Sequence, residues 1–223
     1  MYGRNPSQLK QKVLWRIPKT PMKAYDTVFN FLFYLPCGGE KTFRERCVKF
    51  ANLTSLDRVL ELCCGTGELT TIIAGKGITG ELVGVDISEP AIEIARRKSQ
   101  YLLINFMTAS AGDLPFESSR FDKCFISLGL HHMSRLERQK TLAEVHRTLK
   151  PKGTLYIIDY NLPRNRLRRL VAITFVKLDE SKEAYKMLKT GSLIKEVKHS
   201  GFEIERRDLT CGGIIQLLAA TKN

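Results

Sequence analysis

Short apolar runs alternate with amphipathic stretches along most of this 223-residue chain. Runs rich in Val, Leu, Ile and Phe fall at 58–63, 82–86, 103–108, 122–128 and 154–158. Continuous apolar runs of that length predict strands buried on both faces. Helical patterns lie between them, at 67–76, 88–99 and 134–149, the last with Leu136, Leu142, Val145 and Leu149 spaced among charges. Ser88 or Glu89 starts the second of these, with Pro90 in the first turn, where a missing N–H costs nothing. Upstream, 22–35 and 41–52 predict two helices broken at Pro36-Cys37-Gly38-Gly39. Downstream, 161–188 is helical in propensity, a helix at 192–199 is stopped by Gly201, and strands follow at 202–206 and 212–220. This alternation predicts an α/β fold. Its seven-stranded sheet has helices on both faces and N-terminal cap helices, six strands being parallel and the last antiparallel.

The most informative stretch is Val59-Leu60-Glu61-Leu62-Cys63-Cys64-Gly65-Thr66-Gly67, followed by Val83-Gly84-Val85-Asp86. A strand, a glycine turn opening a helix, a second strand and a terminal acid are the parts that grip an adenosine-containing cofactor, the acid holding the ribose. A dinucleotide site needs a third glycine for close helix–strand packing. Here that position is Thr70. An acid, Glu61, stands four residues before Gly65, which suits a ligand carrying positive charge. The cofactor expected on these grounds is S-adenosylmethionine, with S-adenosylhomocysteine as product.

Charge changes the picture next. The net charge is +13. Residues 1–55 hold ten Lys and Arg against three acids, 56–160 are balanced at thirteen each, and 161–223 hold thirteen against seven. The expected organisation is a basic N-terminal helical cap at 1–55, a neutral cofactor-binding core at 56–160, and a basic substrate-cap segment with the closing strands at 161–223. Basic flanks attract anions, such as a membrane surface, a nucleic acid or an acidic substrate. Residues 1–23 carry six Lys and Arg, no acid, and Leu14, Trp15 and Ile17, a combination that can rest on anionic lipid. No apolar run reaches the length of a membrane span, and no secretory leader pattern is present. The six cysteines show neither metal spacing nor a compact disulfide framework, so a reduced, cytoplasmic setting is expected, with peripheral membrane contact as an option.

Four stretches together resemble the class I S-adenosylmethionine-dependent methyltransferases: 59–67, Val83-Gly84-Val85-Asp86-Ile87-Ser88, Ala111-Gly112-Asp113-Leu114-Pro115-Phe116 with Phe121-Asp122, and Leu149-Lys150-Pro151-Lys152-Gly153-Thr154-Leu155. Tyr25-Asp26 and the ending Asp208-Leu209-Thr210-Cys211-Gly212-Gly213-Ile214-Ile215 are similar to the ubiquinone/menaquinone C-methyltransferases. The resemblance implies a Rossmann-like fold. It implies that Gly65, Thr66 and Gly67 face the methionine end of the cofactor and Asp86 the ribose, with Ile87 beside it. Ser110 and Ala111, with Asp113 as a turn or contact residue, would meet the adenine. Ser127 would line the pocket and Tyr25 would close over it.

Departures matter as much. Cys63 and Cys64 stand where small residues are usual, and Gly112 where an acid is common. The quinone enzymes carry Arg-Asn where this chain has His131-His132. A histidine beside the transferred methyl can deprotonate an acceptor hydroxyl, so His131 and His132 are the candidate catalytic residues. No metal site is expected. The expected acceptor is an isoprenoid quinol-like or other lipid or small organic molecule, and the alternative is N- or O-methylation of a phospholipid or small molecule. The sequence after the fourth strand, Ser127-Leu128-Gly129-Leu130, lacks the Pro-Pro-aromatic motif of amino-methylating nucleic-acid enzymes. That argues against an RNA acceptor, and an intact motif set argues against a non-catalytic binder. An apolar roof is expected from Phe29, Phe31, Phe33, Tyr34, Leu170, Ile173 and Phe175.

Overall fold

The computed structural model describes residues 37–179 and 182–223. The predicted helix at 22–35, Tyr25 and the basic segment 1–23 lie outside them. The elements run α1 (Glu40–Phe50), β1 (Arg58–Leu62), α2 (Glu68–Ala74), β2 (Glu81–Asp86), α3 (Glu89–Lys98), β3 (Asn105–Thr108) and β4 (Phe121–Ser127). After a 3-10 turn at Leu130–His132 come α4 (Arg135–Thr148), β5 (Leu149–Tyr160), α5 (Arg166–Asp179), α6 (Lys182–Thr190), α7 (Ser192–His199), β6 (Phe202–Thr210) and β7 (Ile215–Lys222).

One seven-stranded sheet has the order β3-β2-β1-β4-β5-β7-β6. β7 pairs antiparallel with both β5 and β6, and the other pairings are parallel. The expected sheet is therefore present. Its strand order reverses between β1 and β4, and a ligand crevice opens at such a switch point, outside the carboxyl ends of the strands.

Both faces are packed. Phe43, Val48, Leu69, Ile73, Phe125, Tyr156, Ala172 and Val176 fill one side, under α1, α2 and α5. Leu60, Leu62, Ile126, Leu142, Val145, Ile157 and Val197 fill the other, under α4 and α7. Successive residues of β1 and β4 alternate between the two sides, as the period of a strand requires. Caps fix where helices begin. Ser88 accepts from the Ala91 N–H at the head of α3. Ser134 and Glu137 form a reciprocal capping box at the head of α4, directly after His131-His132.

Several expectations change. The basic region 161–188 is two helices, because Arg166–Asp179 and Lys182–Thr190 are separate elements. The last two strands are longer than their apolar runs, since β6 extends through the charged residues to Thr210 as an edge strand facing water. Leu136 is exposed; α4 turns Thr141, Leu142, Val145 and Thr148 inward, together with Arg138. That arginine forms a buried two-pronged pair with Glu196 of α7, at 2.6 and 2.9 Å, which satisfies both charges. The expectation of unpaired cysteines fails at one place. Cys37 and Cys211 form a disulfide across 174 residues of sequence. No local spacing could announce it, because only the fold brings α1's approach beside the β6–β7 turn. Cys47, Cys63, Cys64 and Cys124 are free.

Gly67 shows why the first turn needs glycine. Its φ is +78°, and a Cβ there would sit 2.8 Å from the Phe106 ring and 3.1 Å from Ala95. The close helix–strand packing sought from a third glycine is supplied here. We expect Gly67→Ala to destabilise the fold by about 2–4 kcal/mol, from left-handed strain plus overpacking. Urea unfolding checks this; a loss below about 1 kcal/mol contradicts it.

Candidate functional site

The turn after β1 curls over Asp86, the last residue of β2. One oxygen of its carboxylate accepts the Gly65 N–H at 2.8 Å, the other the Ser88 N–H at 2.9 Å. Each carboxylate oxygen has two lone pairs, so the group can still accept two hydroxyl donors. Gly65 has φ +54°, and nothing lies within 4 Å of where its Cβ would be. That open space beside an acceptor carboxylate is the form of a nucleoside cradle. Ile87, about half exposed, stands next to it as an apolar wall. Thr66 is partly buried in the same turn.

A second loop faces the cradle beyond β3. Ser110 and Asp113 form a tight turn, with Asp113 N–H donating to Ser110 O at 3.1 Å and Gly112 N–H to Ser110 Oγ at 3.3 Å. Asp113 is exposed, and Ala111 and Ser127 are partly buried. Glu144 and Arg147 of α4 anchor this loop through the Leu114 N–H and the Leu114 and Phe116 carbonyls. Sequence reasoning missed both, since charges on a helix face usually read as solvated.

Glu61 is buried in β1 and accepts from the Thr70 hydroxyl of α2. Burial pushes its carboxyl up to about 7 despite that bond and the nearby Arg44 guanidinium; Asp86 adds to the rise. Cys63, with φ +58°, follows β1 directly. Its thiol is held far above its usual range by burial and then by Asp86, Glu61 and Asp159. It is a packing group, not a nucleophile. A Cβ on Gly129 would meet it at 2.7 Å, so the loop after β4 needs glycine there.

On the β4 side of the switch point lies a histidine–carboxylate pair. His131 Nδ1 is 2.8 Å from Asp159 Oδ1, and the His131 N–H donates to Asp159 Oδ2 at 3.3 Å. Asp159, fully buried at the end of β5, also accepts the Tyr160 N–H at 2.7 Å. With the carboxylate accepting, Nδ1 carries the proton and Nε2 is the basic nitrogen, a tautomer assigned from this network. The His131 ring lies 4.5 Å from the Tyr160 ring and 4.0 Å from His132. His132 keeps an exposed edge, yet desolvation, then His131, lower its pKa to about 3, which Asp159 only partly opposes. Arg138 donates to the Met133 carbonyl at 2.7 Å and so steadies this turn. Asp159 was missed in the sequence, although an acid closing the apolar run Tyr156-Ile157-Ile158 was the available signal.

Beside Tyr160 a cavity of about 180 Å³ is walled by Leu162, Met187, Leu188, Leu193 and Ile194, and also by Asn161, Arg207 and Gln216. A larger cleft of about 860 Å³ between α4, α6 and α7 shares no residue with the cradle or the pair. Among the described residues no cluster could hold a metal ion, and no helix is long and apolar enough to cross a membrane.

A methyltransferase-domain family model matches residues 59–153, the strands and loops just described. An uncharacterized methyltransferase of Synechocystis is 33% identical over 191 residues, 85% of this chain and 87% of that protein. The chain belongs to the S-adenosylmethionine-dependent methyltransferases. A demethylmenaquinone methyltransferase of Staphylococcus saprophyticus is 34% identical over 62% of this chain and 58% of its own length. A 2-phytyl-1,4-naphtoquinone methyltransferase of Nostoc is 33% identical over 59% of each. The chain thus spans about three fifths of these two quinone relatives. A Methanosarcina mazei methyltransferase structure shares the fold, with a TM-score of 0.63, 22% identity and coverage of 78% of this chain and 96% of that one.

S-adenosylmethionine is therefore the methyl donor of this methyltransferase, and the cradle fits it: an open glycine turn, a carboxylate with free acceptor capacity, and a buried acid nearby. Glu61 gives a pH-dependent signature. Its folded pKa of about 7 lies above the ordinary glutamate value of 4.5. Between those values the folded state holds a proton the unfolded state has released, so stability falls as pH rises through that window, by up to about 3 kcal/mol. We expect Glu61→Gln to flatten the fall in ligand-free melting temperature between pH 5 and 8. An unchanged slope in the variant would contradict this.

Proposed function

We propose that this methyltransferase methylates a ring carbon of an isoprenoid quinol-like lipid. The observation that carries the reading is the buried His131–Asp159 pair at the carboxyl ends of β4 and β5, whose neighbour Tyr160 also lines a cavity of mixed apolar and polar walls. The two quinone relatives support the acceptor class. Bound S-adenosylmethionine supplies an electrophilic methyl on a sulfonium centre. In this reading Asp86 accepts the ribose hydroxyls, Ile87 and the Ser110-Ala111 loop with Asp113 flank the adenine, and Gly65, Thr66 and Gly67 face the methionine end. Glu61 stabilises the ligand's positive charge, and Ser127 lines the pocket.

The acceptor hydroxyl gives its proton to His131 Nε2. Asp159 holds the ring in the basic tautomer and stabilises the imidazolium that forms. The electron pair released into the ring makes the adjacent carbon nucleophilic. That carbon would take the methyl; the ring hydrogen so displaced would leave as a proton to water, and the His131 imidazolium would return its proton to the acceptor oxygen. Leu170, expected in the acceptor roof, faces solvent instead; Phe29, Phe31, Phe33, Tyr34 and the Phe175 side chain lie outside what is described.

The test is steady-state turnover on a short-tailed demethylnaphthoquinol. We expect His131→Ala to lower kcat by about 10²–10⁴-fold and Asp159→Asn by about 10–10³-fold, with the affinity for S-adenosylmethionine little changed. His131→Ala with wild-type turnover at saturating acceptor removes the base from the mechanism. A wild-type product labelled on oxygen removes the ring-carbon assignment.

A further inference from the structure

The first half of α5 presents two faces that cannot both serve the core. Ala172 and Val176 are buried against the sheet. Leu167 is 72% exposed, Leu170 62% and Val171 38%. At 3.6 residues per turn, positions i, i+3 and i+4 share one stripe, and this stripe lies opposite Ala172 and Val176. Arg166 and Arg168 border it on either side, Arg164 precedes it, and Arg169 falls on the opposite face of the same turn. Among the described residues none of the four arginines is ion-paired. Arg168 reaches the Gly212 carbonyl at 3.1 Å, so the stripe adjoins the β6–β7 turn. Leu209, just before that turn, is also 47% exposed.

We infer that this face docks on an anionic lipid surface. Aliphatic side chains at the centre with guanidiniums at the border match the layering of a bilayer interface, acyl chains below and phosphates above. A second copy of the chain would set arginine cluster against arginine cluster, which repels. Single-stranded RNA would meet the arginines but, among the described residues, find no aromatic platform for its bases on the stripe. The face belongs to the helix that follows β5, whose last residues are Asp159 and Tyr160. Docking there would hold the catalytic pair near the membrane in which a lipid acceptor resides. The inference rests on the lipid-acceptor reading for its purpose, although the surface itself is independent of it.

The test is flotation of the whole chain with vesicles, without acceptor, at low salt. Wild type should float with vesicles of roughly three parts phosphatidylcholine to one part phosphatidylglycerol and remain at the bottom with phosphatidylcholine alone. The Leu167→Glu/Leu170→Glu variant should lose roughly tenfold or more of the floated fraction. Its circular dichroism and its turnover on a soluble short-tailed quinol should match wild type. A double variant that floats like wild type overturns the inference, as does a wild type that ignores these vesicles while retaining single-stranded RNA. A wild type that floats but methylates no quinol supports the docking face and counts against the acceptor reading alone.

Discussion

The Asp86 carboxylate is the interaction on which the rest of the site depends. It gathers the Gly65 N–H from the turn after β1 and the Ser88 N–H from the head of α3. Two loops from adjacent strands are thereby held in one geometry, and the space over Gly65 stays open. Gly67 then lets α2 close on Phe106 and Ala95. An uncapped version of this turn, with Cys63, Gly65 and Gly67 all at positive φ, would have little reason to hold its shape.

The interior chemistry is the reverse of the exterior. The chain carries a net charge of +13, yet Glu61, Asp86 and Asp159 all lie close enough to Cys63 to raise its pKa. An acidic, poorly solvated centre favours a ligand that brings positive charge, and it keeps a nearby thiol inert. It also gives His131 a buried partner able to stabilise its protonated form. The basic charge is left for the outside, where the arginines of α5 surround an exposed apolar stripe.

Much of the fold was legible because buried parallel strands leave continuous apolar runs, and the glycine turn with its distant acid leaves a spacing. The strand content, the helix start at Ser88, and the pairing of the glycine turn with Asp86 followed from these local signals. What escaped was long-range. Asp159 is one acid at a strand end until β4 and β5 bring it to His131. Arg138 and Glu196 are 58 residues apart, and Cys37 and Cys211 are 174 apart; neither pair has a local signature. Leu136 read as core by period and Leu170 as part of the acceptor's roof, but both face water, because buried Arg138 and Thr141 help fill α4's inner face and the sheet side of α5 is taken by Ala172 and Val176.

The central claim is that one carboxylate both shapes the turn and holds the cofactor's ribose. Calorimetric titration of S-adenosylmethionine into wild type and Asp86→Asn, with thermal unfolding of each, tests it most directly. Asparagine keeps the size but not the charge. The account predicts a folded variant whose affinity falls by about 10–100-fold, as expected when charge-assisted hydrogen bonds are lost. A folded Asp86→Asn protein that binds S-adenosylmethionine as tightly as wild type would contradict it.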